Sequence, residues 1–266
     1  MFKFALYLLI STVLIVFLLP SIYTTSAYDL NPNAILQAPS FEHFFGTDRL
    51  GRDIFARVLI GGQTSLIIGF LSAAIASMLG LFIGINAGFF KGNVDKGITI
   101  LIDIFLTFPT FFLLLALVSY IQASSLVLII VISITGWMGM ARLIRSESFA
   151  ISNKPYIKIL KLGSMSKTKI IFKYFAPLLA PIFLISFTFG VGGAILAESG
   201  LSFLGLGINP PQMSWGSLLS SGKAVLDIAW WVSFFPGLMI FIVTFSLMQI
   251  SDFLQSKANA KEIQTP

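Results

Sequence analysis

Five long stretches of this chain carry no Asp, Glu, Lys or Arg, and they restrict the chain to very few folds. They comprise residues 4–28, 58–90, 104–141, 174–197 and 228–251. A helix needs about 20 apolar residues to cross the hydrocarbon core of a bilayer, so each stretch is long enough to span a membrane. Only 11% of all residues are charged, whereas a soluble domain averages about 25%. The sequence therefore predicts an all-α, polytopic membrane protein.

The third stretch is too long for one helix, and a more polar segment at 119–125 divides it. This division gives six predicted transmembrane helices, near 4–24, 64–87, 98–118, 126–144, 175–197 and 229–250. We accordingly divide the chain into an N-terminal anchor helix at 1–28, an exterior stretch at 29–62, a five-helix core at 63–251 and a tail at 252–266. The first helix also imitates a signal peptide, but its long apolar run favours an uncleaved anchor.

The basic residues predict the orientation of these helices, because loops rich in Lys and Arg stay on the cytoplasmic side. In the six-helix arrangement four basic residues fall outside, namely Arg49, Arg52, Arg57 and Lys223. Thirteen fall inside, namely Lys3, Lys91, Lys96, Arg142, Arg145, Lys154, Lys158, Lys161, Lys167, Lys169, Lys173, Lys257 and Lys261. We therefore expect both termini to be cytoplasmic, with a basic loop at 142–177 as the main cytoplasmic feature.

The composition argues against several kinds of chemistry. The chain has no cysteine, so thiol catalysis, disulfides and Cys-type metal sites are excluded, and His43 is the only histidine. Residues 216–223 read GSLLSSGK, which has one residue too many for a phosphate-binding loop and is followed by Ala224 instead of Ser or Thr. The net charge of +6 is segregated by topology, so nucleic acid is not an expected partner. We expect neither an enzyme nor a metal site, cofactor or bound nucleotide.

The basic loop contains two helix-start signals. Ser152 or Asn153 is a candidate N-cap for a short helix with Pro155 in its first turn, and Ser166 is a candidate N-cap for a second helix. On the first helix, three residues share one face (Ile157, Leu160 and Gly163) and two lysines share another (Lys158 and Lys161). The pattern alone leaves three interpretations open: contact with anionic lipid, docking into a soluble partner, or a solvated loop.

Residues 137–177 resemble the cytoplasmic loop of the membrane subunits of binding-protein-dependent ABC importers, in the branch that carries peptides and nickel. Six residues stand in the register of that branch, namely Trp137, Ala141, Arg142, Arg145, Tyr156 and Pro177. Lys158, Ile159 and Leu160 replace the usual Glu-Ala-Ala, and Ser164 takes the usual glycine position. The resemblance implies a coupling helix that inserts into the ATP-hydrolysing subunit. Its expected coupling residues are Tyr156, Ile157, Lys158, Ile159, Leu160, Lys161, Gly163 and Ser164.

Two further segments resemble signatures of the same branch. Residues 45–53, FGTDRLGRD, match F-G-T-D-x-x-G-R-D and include Asp48, Gly51, Arg52 and Asp53. The two aspartates are able to cap a helix and pair with arginines, so we favour a structural clamp over a contact with substrate. Residues 198–219 match E-x-x-L-S-F-L-G-L-G-x-x-P-P-x-x-S-W-G. The resemblance assigns this second segment, with Glu198 and Trp215, to an exterior gate; anchoring in lipid is the alternative.

The predicted second and third helices contain two features that bear on packing and gating. Gly80, Gly84 and Gly88 lie one turn apart and permit close helix packing, either within the chain or across a permease dimer. Asp103, in the third helix, stands six residues before Pro109 and also fits the family pattern. Acidic residues within spans are costly and usually functional. We expect Asp103 to form a structural or gating pair with Lys96 or Arg142 rather than to relay protons.

The resemblance implies a six-helix type I permease fold and a subunit of an ATP-driven importer in the bacterial inner membrane. The implied partners are a second homologous permease, two ATP-binding subunits, a periplasmic solute-binding protein and membrane lipid. Dipeptides, oligopeptides and nickel all remain open as substrates. A secondary transporter driven by an ion gradient is the main rival, but it predicts inverted repeats and charges at mid-membrane. An integral membrane enzyme is a third possibility, against which the single His43 argues.

Overall fold

The computed structural model of this protein describes residues 1–163 and 165–264, apart from the side chains of 260–264. Within those ranges the chain is helical, with one isolated β-bridge between Thr47 and Asp53 and no strand. The helices are α1 Phe2–Leu18, α2 Ile54–Phe90, α3 Gly92–Thr107, α4 Thr110–Val118, α5 Ser125–Asn153, α6 Pro155–Leu162, α7 Lys167–Ile170, α8 Ala176–Phe203, α9 Trp215–Gly222 and α10 Trp231–Gln264.

Helix α2 is the central element of the bundle, and it runs for 37 residues. At 1.5 Å per residue it is about 55 Å long, which exceeds the thickness of a bilayer. It begins ten residues before the predicted start at 64, because Asp53 caps it and Arg57 is buried inside the fold. Its length joins the two ends of the molecule. We call residues 88–96 and 142–174 the basic end, and residues 19–53 and 204–230 the loop end.

The glycine stripe of α2 packs against α5. A β-carbon added at Gly80 would lie 2.6 Å from Met140 Cβ, and one added at Gly84 would lie 2.7 Å from the carbonyl oxygen of Ala141. One added at Gly88 would lie 2.5 Å from Cβ of Ser148. Real side chains do not approach so closely, so these positions admit only glycine. The stripe therefore serves close packing within the chain, the first of the two alternatives drawn from the sequence.

The predicted helix at 98–118 is not continuous. The chain forms α3 and α4 instead, bent by 80° at Phe108 and Pro109. Proline lacks the amide hydrogen that would continue a helix and disfavours the helical conformation of the residue before it, and Phe108 is extended here. Pro109 therefore divides the predicted span into two helices.

The number of spans agrees with the six that were predicted. Among the described residues, five helices are long and apolar enough to cross a membrane, and the bent pair of α3 and α4 makes a sixth when it is counted as one span. The predicted basic loop, however, is mostly helical. Helix α5 continues to Asn153, and α6 and α7 follow, with a π-helical turn at Ile171–Phe175 leading into α8. The all-α, polytopic fold class is confirmed.

Candidate functional site

Helix α6 lies at the basic end, and its limits follow from local chemistry. Pro155 occupies its first turn, as predicted. The predicted side-chain caps are wrong, because Ser152 and Asn153 belong to α5 and the N-cap position falls on Lys154, which makes no side-chain cap. The hydroxyl of Ser152 instead donates to the carbonyl of Gly88 at 2.8 Å. The predicted cap at Ser166 is confirmed for α7, the next helix.

The inner face of α6 packs into the protein's own core. Ile157 is fully buried and belongs to an apolar cluster that includes Phe89 and Ile144, and Leu160 packs against the same cluster. Ile157 is therefore not available for the predicted insertion into a partner's cleft, whereas Leu160 is only partly buried and its predicted coupling role stays a prediction. The sequence does not reveal which face of α6 turns inward, because this eight-residue helix carries apolar residues on both faces.

Lys161 fastens the same inner face to α2 and α5. Its ammonium group donates to the carbonyl of Phe89 at 2.8 Å and to the hydroxyl of Ser152 at 3.2 Å, and it lies 4.0 Å from the centroid of the Phe89 ring. Burial lowers the pKa of Lys161, and the charge of Lys91 lowers it further. The expectation that Lys161 faces away from the core is corrected, since this lysine attaches α6 to the bundle.

The outer face of α6 presents apolar side chains to its surroundings. Ile159 is 69% exposed and Leu162 is 89% exposed, one turn apart, and Tyr156 and Lys158 are also exposed. Sequence reasoning omitted Leu162; its position three residues after Ile159 was the available signal. Gly163 is exposed at the end of the helix, and Ser164 lies outside the described residues. The outer face, with Ile159 and Leu162, is thus available for docking.

Two arginines of α5 pair with two aspartates of α3. Arg145 binds Asp95 in a bidentate arrangement, with Nε–Oδ1 at 2.5 Å and Nη2–Oδ2 at 2.9 Å. Arg142 reaches Asp103 at 3.8 Å between side chains that are both more than half exposed. The predicted pairing of Asp103 with Arg142 is confirmed, but the stronger Asp95–Arg145 pair was missed. Asp95 lies two turns before Asp103, which places both carboxylates on one side of α3.

Glu198 lies at the centre of a buried polar cluster. It is fully buried, and four serine hydroxyls donate to its carboxylate. The donors are Ser214 at 2.6 Å, Ser202 at 2.7 Å, Ser65 at 3.3 Å and Ser199 at 3.5 Å. These serines come from α2, from α8 and from the N-cap of α9. Hydrogen bonding is what makes a buried carboxylate tolerable, so the cluster holds three elements in one arrangement.

Trp215 extends this cluster, and its position argues against the alternative of a lipid anchor. The side chain is fully buried, its indole Nε1 donates to the carbonyl of Val58 at 2.9 Å, and its backbone N–H donates to the hydroxyl of Ser65 at 3.0 Å. A β-carbon at Gly62 would lie 2.7 Å from the indole ring. The tryptophan therefore fixes α9 onto α2 at the loop end.

The segment at 45–53 is a clamp at the start of α2. Asp53 caps the helix by accepting the backbone N–H of Ala56 at 2.8 Å, and it also bonds His43 at 2.9 Å. Asp48 pairs with Arg52 at 2.7 Å. Gly51 has φ of +69°, and a β-carbon there would lie 1.9 Å from the carbonyl oxygen of Asn31. These contacts support the structural interpretation of the motif, and they explain its two aspartates and its second glycine.

A groove of about 720 Å³ lies among α2, α4, α5, α8 and α10. Small and hydroxyl-bearing residues dominate its wall, and Gly139 and Gly193 have open space where a β-carbon would be. Asp252 is the one acidic residue of the lining. Of the residues predicted for translocation or gating, Asp103, Pro109, Glu198 and Trp215, none lines this groove.

The chain combines long apolar spans, a groove between them and, beyond them, a helix with an outward apolar face. These features define a polytopic membrane permease. The chain belongs to the family described as the binding-protein-dependent transport system inner membrane component, whose sequence profile matches residues 76–259. This membership favours the ABC importer subunit over the secondary transporter. The family is a transport component and not an enzyme family.

Similar proteins cover most of the chain. A dipeptide transport system permease protein of Alkalihalophilus pseudofirmus is 35% identical over 96% of this chain and 84% of its own length. An oligopeptide transport system permease protein of Haemophilus influenzae is 33% identical over 88% of this chain and 76% of its own. Among solved structures, an inward-facing MetNI methionine ABC transporter chain matches with a TM-score of 0.59 and 13% identity, covering 76% of this chain and 97% of that one. The structural match shows the shared fold.

Proposed function

We propose that this subunit moves peptides across the inner membrane and receives mechanical energy from a cytoplasmic ATPase through the outer face of α6. The observation that carries the proposal is the division of α6 into two faces. Ile157 and Lys161 hold the helix to α2 and α5, while Ile159 and Leu162 are presented outward. A short helix that is firmly attached on one side and apolar on the other is suited to transmit a partner's movement.

Helix α2 supplies the path from α6 to the loop end. Lys161 and Ser152 both bond the carbonyls of its last turn, at Phe89 and Gly88. Its glycines lock it to α5 along the membrane, and its first half packs against Trp215 and the Glu198 cluster. A displacement of α6 therefore moves a continuous rod of about 55 Å whose far end holds α9 in place. In this mechanism the Glu198 cluster closes the pathway and yields when the rod tilts.

The assembly follows from this role. Two ATP-binding subunits dock on α6 and on the equivalent helix of a second, homologous permease, and the two permeases enclose the pathway. A periplasmic solute-binding protein delivers the peptide at the loop end, and lipid covers the remaining apolar surface. ATP is bound and hydrolysed by the partners, and this chain carries no cofactor. Both termini and the basic end are cytoplasmic, as the distribution of Lys and Arg indicates.

Peptides are favoured as the substrate class because relatives that cover most of the chain are named as dipeptide and oligopeptide permeases. The test is uptake of a labelled dipeptide into proteoliposomes that contain the complete complex. We expect uptake to require ATP, to continue when ion gradients are collapsed, and to stop when the ATPase carries an inactivating substitution. Uptake by this chain alone, driven by a proton or sodium gradient, would refute the proposal.

A further inference from the structure

A second cavity lies at the loop end, beside the Glu198 cluster. It has a volume of about 610 Å³, within the range of small-molecule sites. We call it the arginine pocket. Its wall includes Arg52, Arg57, Asn209 and Gln212, and the remaining wall is formed mainly by other residues of the segment 202–221.

The charge of the arginine pocket is positive. Arg52 and Arg57 both line it, and none of the described residues that line it is acidic. The carboxylate that pairs with both arginines, Asp48, is already engaged: Oδ1 accepts the backbone N–H groups of Leu50 and Arg52, and Oδ2 accepts Nε of Arg52 at 2.7 Å. Glu198 lies behind Ser202 and already accepts from four serine hydroxyls, so the lining itself presents two guanidinium groups and no carboxylate.

Arg57 has unused hydrogen-bonding capacity. The residue is only 7% exposed, and its guanidinium makes one hydrogen bond, from Nη1 to the carbonyl of Ala27 at 3.1 Å. Its Nε lies 3.6 Å from Oδ2 of Asp48 and has no hydrogen-bond partner among the described residues. Buried donors without acceptors are rare and costly, and each one calls for an explanation. Because Nε is closed to solvent, the remaining Nη hydrogens of Arg57 are the donors that an anion in the pocket would engage.

Two exposed amides complete the set of donors. Asn209 and Gln212 stand on the wall of the pocket. The side-chain oxygen of Gln212 accepts from the hydroxyl of Ser125 at 3.3 Å. The NH₂ group of Gln212 therefore does not take part in this contact with Ser125. Guanidinium and amide donors together match a carboxylate, which is flat and accepts up to four hydrogen bonds.

We propose that the arginine pocket binds a carboxylate of the transported peptide at the loop end, before the peptide enters the pathway. The peptide and its side of approach rest on the proposed function, but the carboxylate preference is a property of the pocket and is measurable without ATP. An acidic side chain of a docked protein would present the same group, and the experiment separates these two sources.

The experiment measures binding of alanyl-alanine and of its C-terminal amide to the full-length chain in lipid nanodiscs by ligand-observed NMR. The amide has nearly the same size but replaces the charged acceptor oxygen by a neutral NH₂ donor, so the ratio of the two dissociation constants reports carboxylate recognition. We expect the free acid to bind at least about tenfold more tightly than the amide, because hydrogen bonds to charged groups are the strong class.

Three variants locate the effect. Arg57→Gln should abolish the preference for the acid. Asn209→Leu should reduce it severalfold, and because Asn209 is exposed and apart from the Asp48 ion pairs, this variant remains informative if Arg57→Gln fails to fold. Arg49→Gln is the matched control, since Arg49 donates to the carbonyl of Ala224 and does not line the pocket, and it should keep the full preference.

Equal binding of acid and amide by the wild-type chain would overturn the proposal, even if ATP-driven uptake of dipeptides is intact. A preserved preference without ATP-driven uptake would leave the pocket standing and remove the proposed function. If the pocket variants weaken capture of the purified solute-binding protein and leave the acid-to-amide ratio unchanged, the carboxylate belongs to that protein and the peptide assignment is wrong.

Discussion

The two faces of α6 make opposite predictions for substitutions five residues apart. Ile157→Ala removes a fully buried side chain from the core at the basic end, whereas Leu162→Asp changes a side chain that is 89% exposed. We expect Ile157→Ala to destabilise the chain and Leu162→Asp to leave its stability nearly unchanged. Docking of the ATPase should show the reverse order of sensitivity, because only Leu162 faces outward.

The magnitudes follow from burial. Truncating a buried isoleucine to alanine costs about 2–5 kcal/mol, while an exposed substitution usually stays within about 0.5 kcal/mol. For a chain of this size, each kcal/mol shifts the melting temperature by about 2–4 °C, so Ile157→Ala should lower it by at least about 4 °C. Leu162→Asp would place an unpaired carboxylate in an apolar cleft of the partner, which costs several kcal/mol of binding free energy.

The assay combines apparent melting temperatures of the detergent-solubilised chain with co-purification of the ATPase subunits. Lys158→Ala is the matched control on the same helix, since an exposed charge contributes only about 0–1 kcal/mol. An Ile157→Ala protein that melts like the wild type would show that the inner face is wrongly assigned. A Leu162→Asp protein that keeps its ATPase and transports normally would refute the docking role of the outer face.

Three further predictions concern packing, the gate and orientation. Gly84→Leu should prevent the contact of α2 with α5 and sharply lower the yield of folded protein, whereas Gly97→Ala, with open space at its β-carbon, should be tolerated; equal yields would contradict the packing. Glu198→Ala should cost about 2 kcal/mol or more in thermal stability, because it leaves buried hydroxyls without an acceptor, and an unchanged melting temperature would contradict that. Single cysteines in place of Ser166 and Ser220 should label from opposite sides of the membrane in intact cells, and labelling of both from outside would refute the orientation.

The number of spans was predictable because the sequence separates charged from apolar residues so completely. The limits of the helices were not predictable, because several helices continue beyond the charge-free stretches into segments that contain charged residues. Arg57 is buried within the first turns of α2, and Arg145 lies within α5, where its bidentate pair with Asp95 satisfies the charge. Neither the burial of Arg57 nor the pairing of Arg145 with Asp95 can be inferred without the fold. Pro109 was visible, but it was assigned to gating and not to a break in the helix.

The sequence predicted which segment forms the candidate site, but not which side chains of that segment are exposed. The position of Pro155 and the cap at Ser166 follow from local chemistry, and both signals correctly placed helices at the basic end. The inner and outer faces of α6 depend on contacts with Phe89, which lies 72 residues away from Lys161 in the chain. For the same reason the sequence did not show that Trp215 is buried.

The outer face of α6 is the surface through which we propose that the ATPase contacts this chain. The chain contains no cysteine, so Leu162→Cys, Ile159→Cys and Ile157→Cys each introduce a single thiol for cross-linking to the co-purified ATPase subunits with a short bifunctional reagent. We expect cross-linked products from positions 159 and 162 and none from the buried position 157. Cross-linking from position 157 alone, or from none of the three in a complex that transports, would contradict this proposal.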